Sequence, residues 1–318
     1  MDKRLMTSAK TKTPLILEIK GNSLDDGPGI RTVVFFKGCP LSCVWCHNPE
    51  SKKASVEIAF DARLCIDCGA CRDVCSREAL SKNNPFYIDR SRCALCFACA
   101  DACPSGALDR VGIIMSVDDI LQKILPDKPF FNTSGGGVTL SGGEPTLYME
   151  FASTLLRELK RQNIHTLLET CGFFRMESFM ELLYPYLDAV YFDIKLMDSD
   201  AHRKYCGVPN EKILDNFRQL AAVFQKDGKV LLPRVPLVPG ITDTPANLRG
   251  IAVFLKRLGI SAASLLEYNP LWHEKSDKVG AHDPYKADKA MTSFPDKGIP
   301  EECRKIFTDA GITLEHPR

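Results

Sequence analysis

The segment "FFKGCPLSCVWCHNPES", residues 35–51, carries three thiols at a spacing that suits metal binding. Cys39, Cys43 and Cys46 follow a short apolar run, and three thiolates leave one position of a tetrahedral site open. Three cysteines can also hold three irons of a 4Fe-4S cluster and leave the fourth iron free for a chelating ligand. The alternatives are a zinc site completed by His47 and a chance group of cysteines. The spacing favours the cluster.

Eight further cysteines form two runs with the same internal spacing, CxxCxxCxxxC. The runs, "CIDCGACRDVCSREAL" and "CALCFACADACPSGAL", contain Cys65, Cys68, Cys71, Cys75, Cys93, Cys96, Cys99 and Cys103. This spacing resembles that of bacterial ferredoxins with two 4Fe-4S clusters, in which the fourth cysteine of each run binds the other cluster. The resemblance implies two crossed groups of ligands: Cys65, Cys68, Cys71 with Cys103, and Cys93, Cys96, Cys99 with Cys75. Zinc is the alternative, although its sites usually combine two CxxC pairs with a longer spacer.

The composition is that of an ordinary globular protein. The 318 residues suggest about two structural units, and the 45% hydrophobic and 25% charged residues fall in the usual range. The net charge of +1 gives no general attraction to nucleic acid or to a membrane. No apolar stretch has the length of a signal peptide or a membrane span, so we expect a cytoplasmic protein. In that reducing compartment, most of the 14 cysteines indicate metal binding rather than disulfides.

Short apolar runs alternate with amphipathic helical patterns through most of the chain, which predicts an α/β fold with a parallel sheet. The predicted strands are 14–19, 32–38, 137–143, 164–170, 189–195, 229–238 and 263–269. The predicted helices are 117–125, 148–162, 176–184, 211–225 and 245–258. The alternation leaves open whether the sheet is flat or curled into a barrel. In both cases we expect the reactive groups at the carboxyl ends of the strands.

Residues 56–112 interrupt this alternation. The segment is short, rich in cysteine and poor in long helices and strands, so bound metal would hold it together better than a hydrophobic core. We therefore predict an N-terminal part of the main domain with the cysteine loop, 1–55, and an inserted small domain, 56–112. The rest of the main domain, with a C-terminal segment, is predicted over 113–318.

A glycine-rich turn follows the strand predicted to begin at residue 137. Residues 141–145 read "SGGEP", and Gly142 and Gly143 expose backbone atoms that a ligand can approach closely. A tight turn between a strand and a helix is the alternative. Beside an open iron, this turn would bind the amino group of an amino acid, such as the methionyl part of S-adenosylmethionine (SAM).

Together these motifs resemble the radical SAM superfamily and, within it, the activating enzymes of glycyl-radical enzymes. The stretches "DDGPGIRTVVFFKGCPLSCVWCHNPES", "SGGEP", "ETCGFF", "YFDIKLMD" and "RVPLVPGITD" occur in family order, with the ferredoxin-like repeat between the first two. The resemblance implies a partial (β/α)6 barrel of the radical SAM type, with an inserted ferredoxin-like domain that carries two 4Fe-4S clusters. It also implies a third 4Fe-4S cluster at Cys39, Cys43 and Cys46, with SAM on its open iron.

The resemblance further implies which residues bind SAM. Backbone atoms of Gly142, Gly143 and Glu144 would bind the methionyl amino group. Asp193 and Lys195, in "FDIK", alternate along a strand and so face one pocket. Lys195 would pair with the SAM carboxylate and Asp193 would position it, with a salt bridge at the barrel rim as the alternative for each.

Two other SAM contacts follow from the resemblance. Arg234 matches a family SAM-contact position, with a role in capping a strand as its alternative. Asn269, in "LLEYN", stands where relatives have a histidine, and it retains hydrogen bonding without the ability to carry a proton. Relatives have an aspartate where Glu169 precedes Thr170, so we do not expect a monovalent cation site there.

Several residues near these motifs are given shaping or packing roles. Asp26, Trp45 and His47 would shape the cysteine loop or the groove for a protein substrate, with ordinary packing as the alternative for Trp45. The remaining thiols have no partner at a ligand spacing and are predicted to be buried and inert: Cys171, Cys206 and Cys303.

The predicted activity is the reductive cleavage of SAM, followed by removal of a hydrogen atom from a glycine of a partner glycyl-radical enzyme. The electron would come from a flavodoxin- or ferredoxin-type reductant, and potentials of 4Fe-4S clusters reach about −700 mV. Another radical SAM enzyme, acting on a small molecule or peptide, would share the cysteine loop and "SGGEP" but not "DGPGIR". An iron-sulfur electron-transfer protein would explain the ferredoxin-like repeat but not the cysteine loop or the barrel.

Overall fold

The computed structural model describes residues 13–296 and 298–315 of the chain. Within these residues the strands are β1 (Leu15–Ser23), β2 (Arg31–Lys37), β3 (Glu57–Phe60), β4 (Leu108–Val111), β5 (Ile113–Ile114), β6 (Gly137–Gly142), β7 (His165–Thr170), β8 (Ala189–Asp193), β9 (Val230–Pro236), β10 (Ala262–Leu266) and β11 (Thr313–Leu314).

The helices of the same residues range from single turns to more than four turns. They are α1 (Ala70–Asp73), α2 (Ala98–Asp101), α3 (Val117–Ile124), α4 (Lys128–Ser134), α5 (Met149–Arg161), α6 (Met176–Leu182), α7 (Ser199–Cys206), α8 (Glu211–Asp227), α9 (Pro245–Arg257), α10 (Trp272–Val279), α11 (Lys289–Thr292) and α12 (Gly298–Asp309). No helix of the described residues is long and apolar enough to cross a membrane.

One mixed sheet organises the main domain, with the strand order β11-β10-β9-β8-β7-β6-β2-β1-β5. Strands β2, β6, β7, β8, β9 and β10 are parallel neighbours in chain order, whereas β1 runs antiparallel to β2. Helices connect the parallel neighbours, as crossover units require. The predicted α/β fold is therefore confirmed. The ends of the five predicted helices differ from the observed ends by at most two residues.

The parallel strands are covered by helices, as their apolar sequences predict. β6 is buried over nearly its whole length. Leu155 and Leu159 of α5, Phe217 of α8 and Leu248 of α9 are all fully buried in one hydrophobic core on the helical side of the sheet. Burial of each such side chain contributes about 1.5–3 kcal/mol. This packing holds the carboxyl ends of six strands in fixed positions at one edge of the sheet.

Helix α7 lies outside the elements that the sequence predicts. Its sequence, "SDAHRKYC", has only His202 and Cys206 as buried side chains, so it lacks a clear apolar stripe. The helix begins where Asp198 Oδ1 accepts the N–H of Ala201 at 2.7 Å. It ends at Gly207, whose left-handed backbone, with φ +87°, suits glycine. Helices α1, α2, α4, α10, α11 and α12 also have no predicted counterpart.

The cysteine-rich segment begins and ends on the antiparallel strands β3 and β4, which pair from Glu57 with Val111 to Phe60 with Leu108. Its two helices, α1 and α2, are single turns. The apolar interior is small and includes a stacked pair, Phe60 and Tyr87, with ring centroids 4.1 Å apart. A core of this size gives limited stability by itself.

Charged side chains tie the cysteine-rich segment to the main domain. Lys37 Nζ, which is fully buried, donates to Glu57 Oε2 at 2.7 Å. The Arg90 guanidinium donates to the carbonyl oxygens of Ile58 and of Lys278 in α10, each at 3.3 Å. Since a buried charge that loses its partner costs about 3–5 kcal/mol, the Lys37–Glu57 pair fixes β3 against the end of β2.

Candidate active site

A cavity of about 320 Å³ lies between the cysteine loop and the carboxyl ends of β6 to β10. Parallel strands bring residues that are far apart in the chain to this edge. The lining includes most of the residues that the sequence predicts for the site: Cys39, Cys43, Cys46, Gly142, Gly143, Asp193, Lys195 and Arg234.

The backbone closes the cysteine loop at its base. The Gly38 N–H donates to the Ser51 carbonyl at 2.6 Å, and the Cys39 N–H donates to the Lys52 carbonyl at 3.1 Å. These two bonds join the beginning of the loop to its end. The loop is thereby held in one conformation with its thiols at the cavity.

The thiols of the loop differ in how readily they lose a proton. A hydrogen bond from the Cys206 thiol outweighs burial and lowers the pKa of Cys43 to about 7. Burial raises the pKa of Cys46 to about 12. The thiolate is the form that binds metal, so both thiols must be deprotonated to hold a cluster.

Cys171 and Cys206 lie beside the loop, a position that the sequence does not predict. Both are buried, as is Cys303, which confirms the expected burial of all three thiols. Burial and a hydrogen bond with Cys39 raise the pKa of Cys171, and a hydrogen bond with Cys43 and burial raise that of Cys206. Cys171 directly follows β7, at the edge of the sheet where the site residues lie. This position in the sequence could have predicted that Cys171 lies near the site.

The turn after β6 needs its glycines for a steric reason. A Cβ at Gly143 would lie 2.2 Å from the Gly38 carbonyl oxygen, and a Cβ at Gly142, whose φ is +108°, would lie 2.4 Å from the Phe36 nitrogen. The N–H groups of Gly143 and Glu144 donate to the carbonyls of Phe36 and Gly38, both at 2.8 Å. With these amides engaged, the turn has carbonyl oxygens to offer, and such oxygens accept hydrogen bonds from an ammonium group.

The side chain of Glu144 has a structural role. It is fully buried, and its Oε1 accepts from the hydroxyls of Thr146 at 2.8 Å and Thr170 at 3.0 Å. Its Oε2 accepts the N–H of Cys171 at 2.7 Å. Glu144 therefore joins the end of β7 to the turn after β6. Its N–H donates to the Gly38 carbonyl and its carbonyl accepts the Leu147 N–H, and it does not line the cavity, so a contact between its backbone and SAM stays a prediction.

Four charged side chains form a network with no net charge on the cavity wall. Arg234 Nε donates to Asp193 Oδ1 at 2.9 Å, and the same guanidinium pairs with Glu169. Lys195 Nζ lies 2.8 Å from Asp193 Oδ2. Ser141 Oγ donates to Glu169 Oε2 at 2.6 Å. The network thus links the ends of β6, β7, β8 and β9.

This network keeps both cations charged. Burial alone would lower the pKa of Lys195 and of Arg234, but the neighbouring carboxylates outweigh it and raise both. Burial would likewise raise the pKa of Asp193, but the charges of Arg234 and Lys195 lower it. Burial raises the pKa of Glu169. A carboxylate that enters the cavity would therefore meet two permanent cations.

Of the remaining predicted residues, some line the cavity and one does not. Trp45 and His47 line the cavity. Asn269 is not among the lining residues, and its Oδ1 accepts the N–H of Leu271 at 3.0 Å. Its neighbour Tyr268 does line the cavity. A contact between Asn269 and SAM stays a prediction.

The "DGPGIR" segment lies in the turn between β1 and β2, at the opposite end of β2 from the cysteine loop. Arg31 is fully buried and donates to Thr139 Oγ1 at 2.6 Å and to the Val138 carbonyl at 2.7 Å. Thr139 Oγ1 in turn donates to the Asp26 carbonyl at 2.7 Å. The segment therefore packs against the amino half of β6, and neither Asp26 nor Arg31 lines the cavity.

The cysteines of the cysteine-rich segment surround two small cavities of about 20 Å³ each. One cavity is lined by Cys65, Cys68, Cys71 and Cys103. The other is lined by Cys75, Cys93, Cys96 and Cys99. This is the crossed grouping that the ferredoxin resemblance implies.

The set of donors suits iron-sulfur clusters in number and kind, because four thiols line each of the two small cavities. A 4Fe-4S cluster binds its thiolates at separate irons. Its ligands therefore stand further apart than those of a zinc ion, whose Zn–S bonds are about 2.3 Å.

Comparison with known proteins identifies the family. The sequence pattern of the radical SAM superfamily matches residues 33–249, more than half of the chain. The chain belongs to the radical SAM superfamily. The match includes the cysteine loop, the turn after β6 and the charged network, which together form most of the cavity lining.

Two curated proteins are similar to this radical SAM protein over most of their length. It is 41% identical over 269 residues to the isethionate sulfite-lyase activating enzyme of Nitratidesulfovibrio vulgaris. The aligned region covers 83% of this chain and 86% of the relative. It is 39% identical over 298 residues to the trans-4-hydroxy-L-proline dehydratase activating enzyme of Clostridioides difficile, with 92% and 96% covered. The predicted resemblance to activating enzymes is confirmed.

A solved structure agrees on the fold. A radical SAM methyltransferase from Sphaerobacter thermophilus matches this radical SAM protein with a TM-score of 0.52 at 13% identity, covering 96% of this chain and 76% of the methyltransferase. At this identity the likeness concerns the fold alone.

Proposed function

We propose that this radical SAM protein cleaves SAM reductively and removes a hydrogen atom from a glycine of a partner glycyl-radical enzyme. The observation that carries the proposal is one cavity where three thiols, a turn with carbonyl oxygens and two permanent cations meet. Many radical SAM activities would need these features. The similarity to activating enzymes over most of their length favours the activation of a partner enzyme.

Each polar feature of the cavity suits one part of SAM. The carbonyl oxygens of Gly142 and Gly143 would accept hydrogen bonds from the methionyl ammonium group. Lys195 and Arg234 would pair with the methionyl carboxylate. Asp193 bridges these two cations at 2.8 Å and 2.9 Å, so it would fix their positions. The two ends of the amino acid are thereby held against the cysteine loop.

The thiols of Cys39, Cys43 and Cys46 would hold a 4Fe-4S cluster, which when bound supplies one electron to the sulfonium of SAM and yields methionine and a 5′-deoxyadenosyl radical. The transfer of a hydrogen atom that follows needs no side chain acting as acid or base. The chain contributes orientation and the exclusion of water, for which the apolar side chains of Leu41 and Val238 line the cavity.

For residues 56–112 we propose a ferredoxin-like domain with two 4Fe-4S clusters, inserted into a partial (β/α)6 barrel that 1–55 and 113–318 form. Two groups of four cysteines around separate cavities support this division, as do the six parallel neighbouring strands. Cys68 and Cys96 are exposed, one in each group. Both sites are therefore near the surface, where a flavodoxin- or ferredoxin-type protein would deliver its electron.

Alanine variants test the crossed grouping through the iron content of the anaerobically reconstituted protein. A chain in which Cys65, Cys68 and Cys71 are replaced by Ala should lose about one third of its iron, as one of three clusters. Adding Cys103→Ala should then remove no more iron, because Cys103 lines the cavity of the cluster already lost. Adding Cys75→Ala instead should lower the iron content further, because it removes one of the four thiols that line the cavity of the other cluster. The reverse result would show that each run binds its own cluster.

An anaerobic activation assay tests the function. The reconstituted protein, SAM and a low-potential reductant are mixed with candidate partners, first the isethionate sulfite-lyase and the trans-4-hydroxy-L-proline dehydratase. We expect a glycyl-radical signal in the electron paramagnetic resonance (EPR) spectrum of one partner, with formation of 5′-deoxyadenosine. A partner whose radical glycine is replaced by alanine should give no signal. SAM turnover without a radical on any glycyl-radical partner would favour a radical SAM enzyme of another kind.

A further inference from the structure

We infer that the carboxyl end of helix α7 sets a low reduction potential at the cysteine loop, because it engages two backbone N–H groups that could otherwise donate to cluster sulfurs. The inference rests on the cluster proposed for Cys39, Cys43 and Cys46. It assigns a positioning role to residues 205–207, which do not line the cavity.

The two residues that flank Cys43 are bound to the end of α7. The Ser42 N–H donates to the Cys206 carbonyl at 2.9 Å, and the Val44 N–H donates to the Tyr205 carbonyl at 3.0 Å. The central thiol of the loop is therefore held from both sides by carbonyl oxygens of one helix. Both N–H groups point toward the helix and are occupied.

Other amides of the loop are also occupied by carbonyl oxygens. The Cys39 N–H donates to Lys52 at 3.1 Å, and the Cys46 N–H donates to the Cys43 carbonyl at 3.3 Å. Hydrogen bonds to the sulfurs of an iron-sulfur cluster tune its potential, and N–H donors favour the reduced state, which carries more negative charge. Engagement of these four donors favours a low potential, which the reductive cleavage of SAM requires, whereas the Asn48 N–H still donates to the Cys46 sulfur.

Helix α7 is fixed firmly enough to act as a support. His202 Nδ1 forms a hydrogen bond of 2.6 Å with the Val208 carbonyl just beyond the helix. Asn210 Nδ2 donates to the carbonyls of Leu196 and Met197, which precede the helix, at 2.8 Å and 2.9 Å. The carboxyl end of a helix also carries partial negative charge, which disfavours an added electron nearby. Both effects lower the potential. The hydrogen bond from the Cys206 thiol to Cys43 acts in the opposite direction, but an S–H group is a weaker donor than the two N–H groups that the helix engages.

Gly207 permits the close approach of α7 and the loop. Its φ is +87°, and a Cβ at this position would lie 2.3 Å from Ser42 Oγ and 3.4 Å from Ser42 Cβ. Gly228 ends α8 in a similar conformation, with φ +65°, but a Cβ there would have no neighbour within 4 Å. Gly207→Ala and Gly228→Ala thus add the same methyl group at similar backbone strain, and only the first presses on the loop.

The test is the midpoint potential of the cluster in the full, reconstituted chain. The part of the reduced EPR signal that changes on addition of SAM reports the cluster of the cysteine loop rather than those of residues 56–112. In Gly207→Ala the loop is pushed off α7, so we expect a less negative potential. At a fixed solution potential, the ratio of reduced to oxidised cluster should rise at least threefold. This corresponds to a shift of about 28 mV in the midpoint potential, at about 59 mV per tenfold change. Gly228→Ala should show no shift.

A second substitution separates the contact from a general loss of stability. Ser42→Ala removes the Oγ that clashes with Ala at position 207 and leaves a Cβ contact of 3.4 Å. The double variant should regain the original potential, or regain the cluster if Gly207→Ala loses it. Failure of this rescue overturns the inference, as does an unshifted potential in Gly207→Ala with its cluster intact. An unmodified chain without a SAM-sensitive signal would contradict the proposed function instead.

Discussion

Cys43→Ala should abolish SAM cleavage, with a fall of more than about a thousandfold in 5′-deoxyadenosine formation, since enzymes accelerate reactions by at least about a millionfold. Cys43 lies at the centre of the loop, is 8% exposed, and has a thiol whose pKa is lowered to about 7. Its loss leaves two thiols, too few for a cluster held through three irons. The measurement is the yield of 5′-deoxyadenosine with an excess of SAM and reductant.

Cys303→Ala is the matched control for this variant. Cys303 is 4% exposed and belongs to the hydrophobic core, where its thiol lies 3.9 Å from the Asp243 carbonyl. Its replacement also removes one buried sulfur, but far from the cavity, and should preserve SAM cleavage. An unchanged rate in Cys43→Ala would overturn the cluster assignment. Loss of 5′-deoxyadenosine formation in both variants would indicate a general failure of the fold.

Arg234→Met should lower the free energy of unfolding by about 3–5 kcal/mol, the usual cost of removing one partner of a buried ion pair. Arg234 is 8% exposed and links Glu169 and Asp193. Without it Asp193 keeps Lys195, whereas Glu169 keeps, among the described residues, the hydroxyl of Ser141. SAM affinity should fall as well, because one of the two cations that face the carboxylate is gone. Anaerobic unfolding and SAM titration measure the two effects.

The destabilisation in Arg234→Met should grow as the pH rises. Burial already raises the pKa of Glu169 above its usual value, and loss of the guanidinium raises it further. At a pH between the pKa of Glu169 in the unfolded chain and its higher pKa in the folded variant, the folded variant holds a proton that the unfolded chain has released. The free energy of unfolding therefore falls by up to about 1.4 kcal/mol per pH unit in that interval. Unfolding curves at several pH values measure this slope.

Arg218→Met is the control for Arg234→Met. Arg218 pairs with Asp215 at 2.8 Å on the surface of α8, with the two side chains 54% and 56% exposed. Exposed pairs of this kind contribute about 0–1 kcal/mol. An equal loss of stability in the two variants, without a pH slope in Arg234→Met, would contradict the role given to the network. Arg234→Lys should be intermediate, because an ammonium group cannot span both carboxylates as the planar guanidinium does.

The sequence predicts the sheet and the cavity well because both depend on local patterns. Apolar strands followed by amphipathic helices fix the order of β2 and β6 to β10, and the carboxyl ends of such strands meet at one edge. The cysteine loop, the "SGGEP" turn, Asp193, Lys195 and Arg234 each stand at one of these ends. Their meeting in one cavity therefore follows from the topology.

What the sequence does not predict depends on contacts between distant segments. Helix α7 has two buried side chains and little apolar periodicity, so its support of the cysteine loop appears only in the folded chain. Glu144 belongs to a predicted ligand motif, yet its carboxylate binds Thr170 and the Cys171 backbone. "DGPGIR" is close to the cysteine loop in sequence, but β2 separates the two by its whole length.

The Lys37–Glu57 pair has a consequence for attempts to shorten the chain. Lys37 is two residues from Cys39 and has no exposed surface, while its carboxylate partner is the first residue of β3. A minimal enzyme made by excising the segment together with Glu57 would remove the counter-charge of the buried Lys37 ammonium group and leave it the neutral Glu50 carbonyl as an acceptor. Such a truncation would need Lys37→Met as well. The cysteine-rich segment is thus continuous in sequence, but its Glu57 balances a buried charge of the main domain. Removal of the segment therefore requires a compensating change at Lys37.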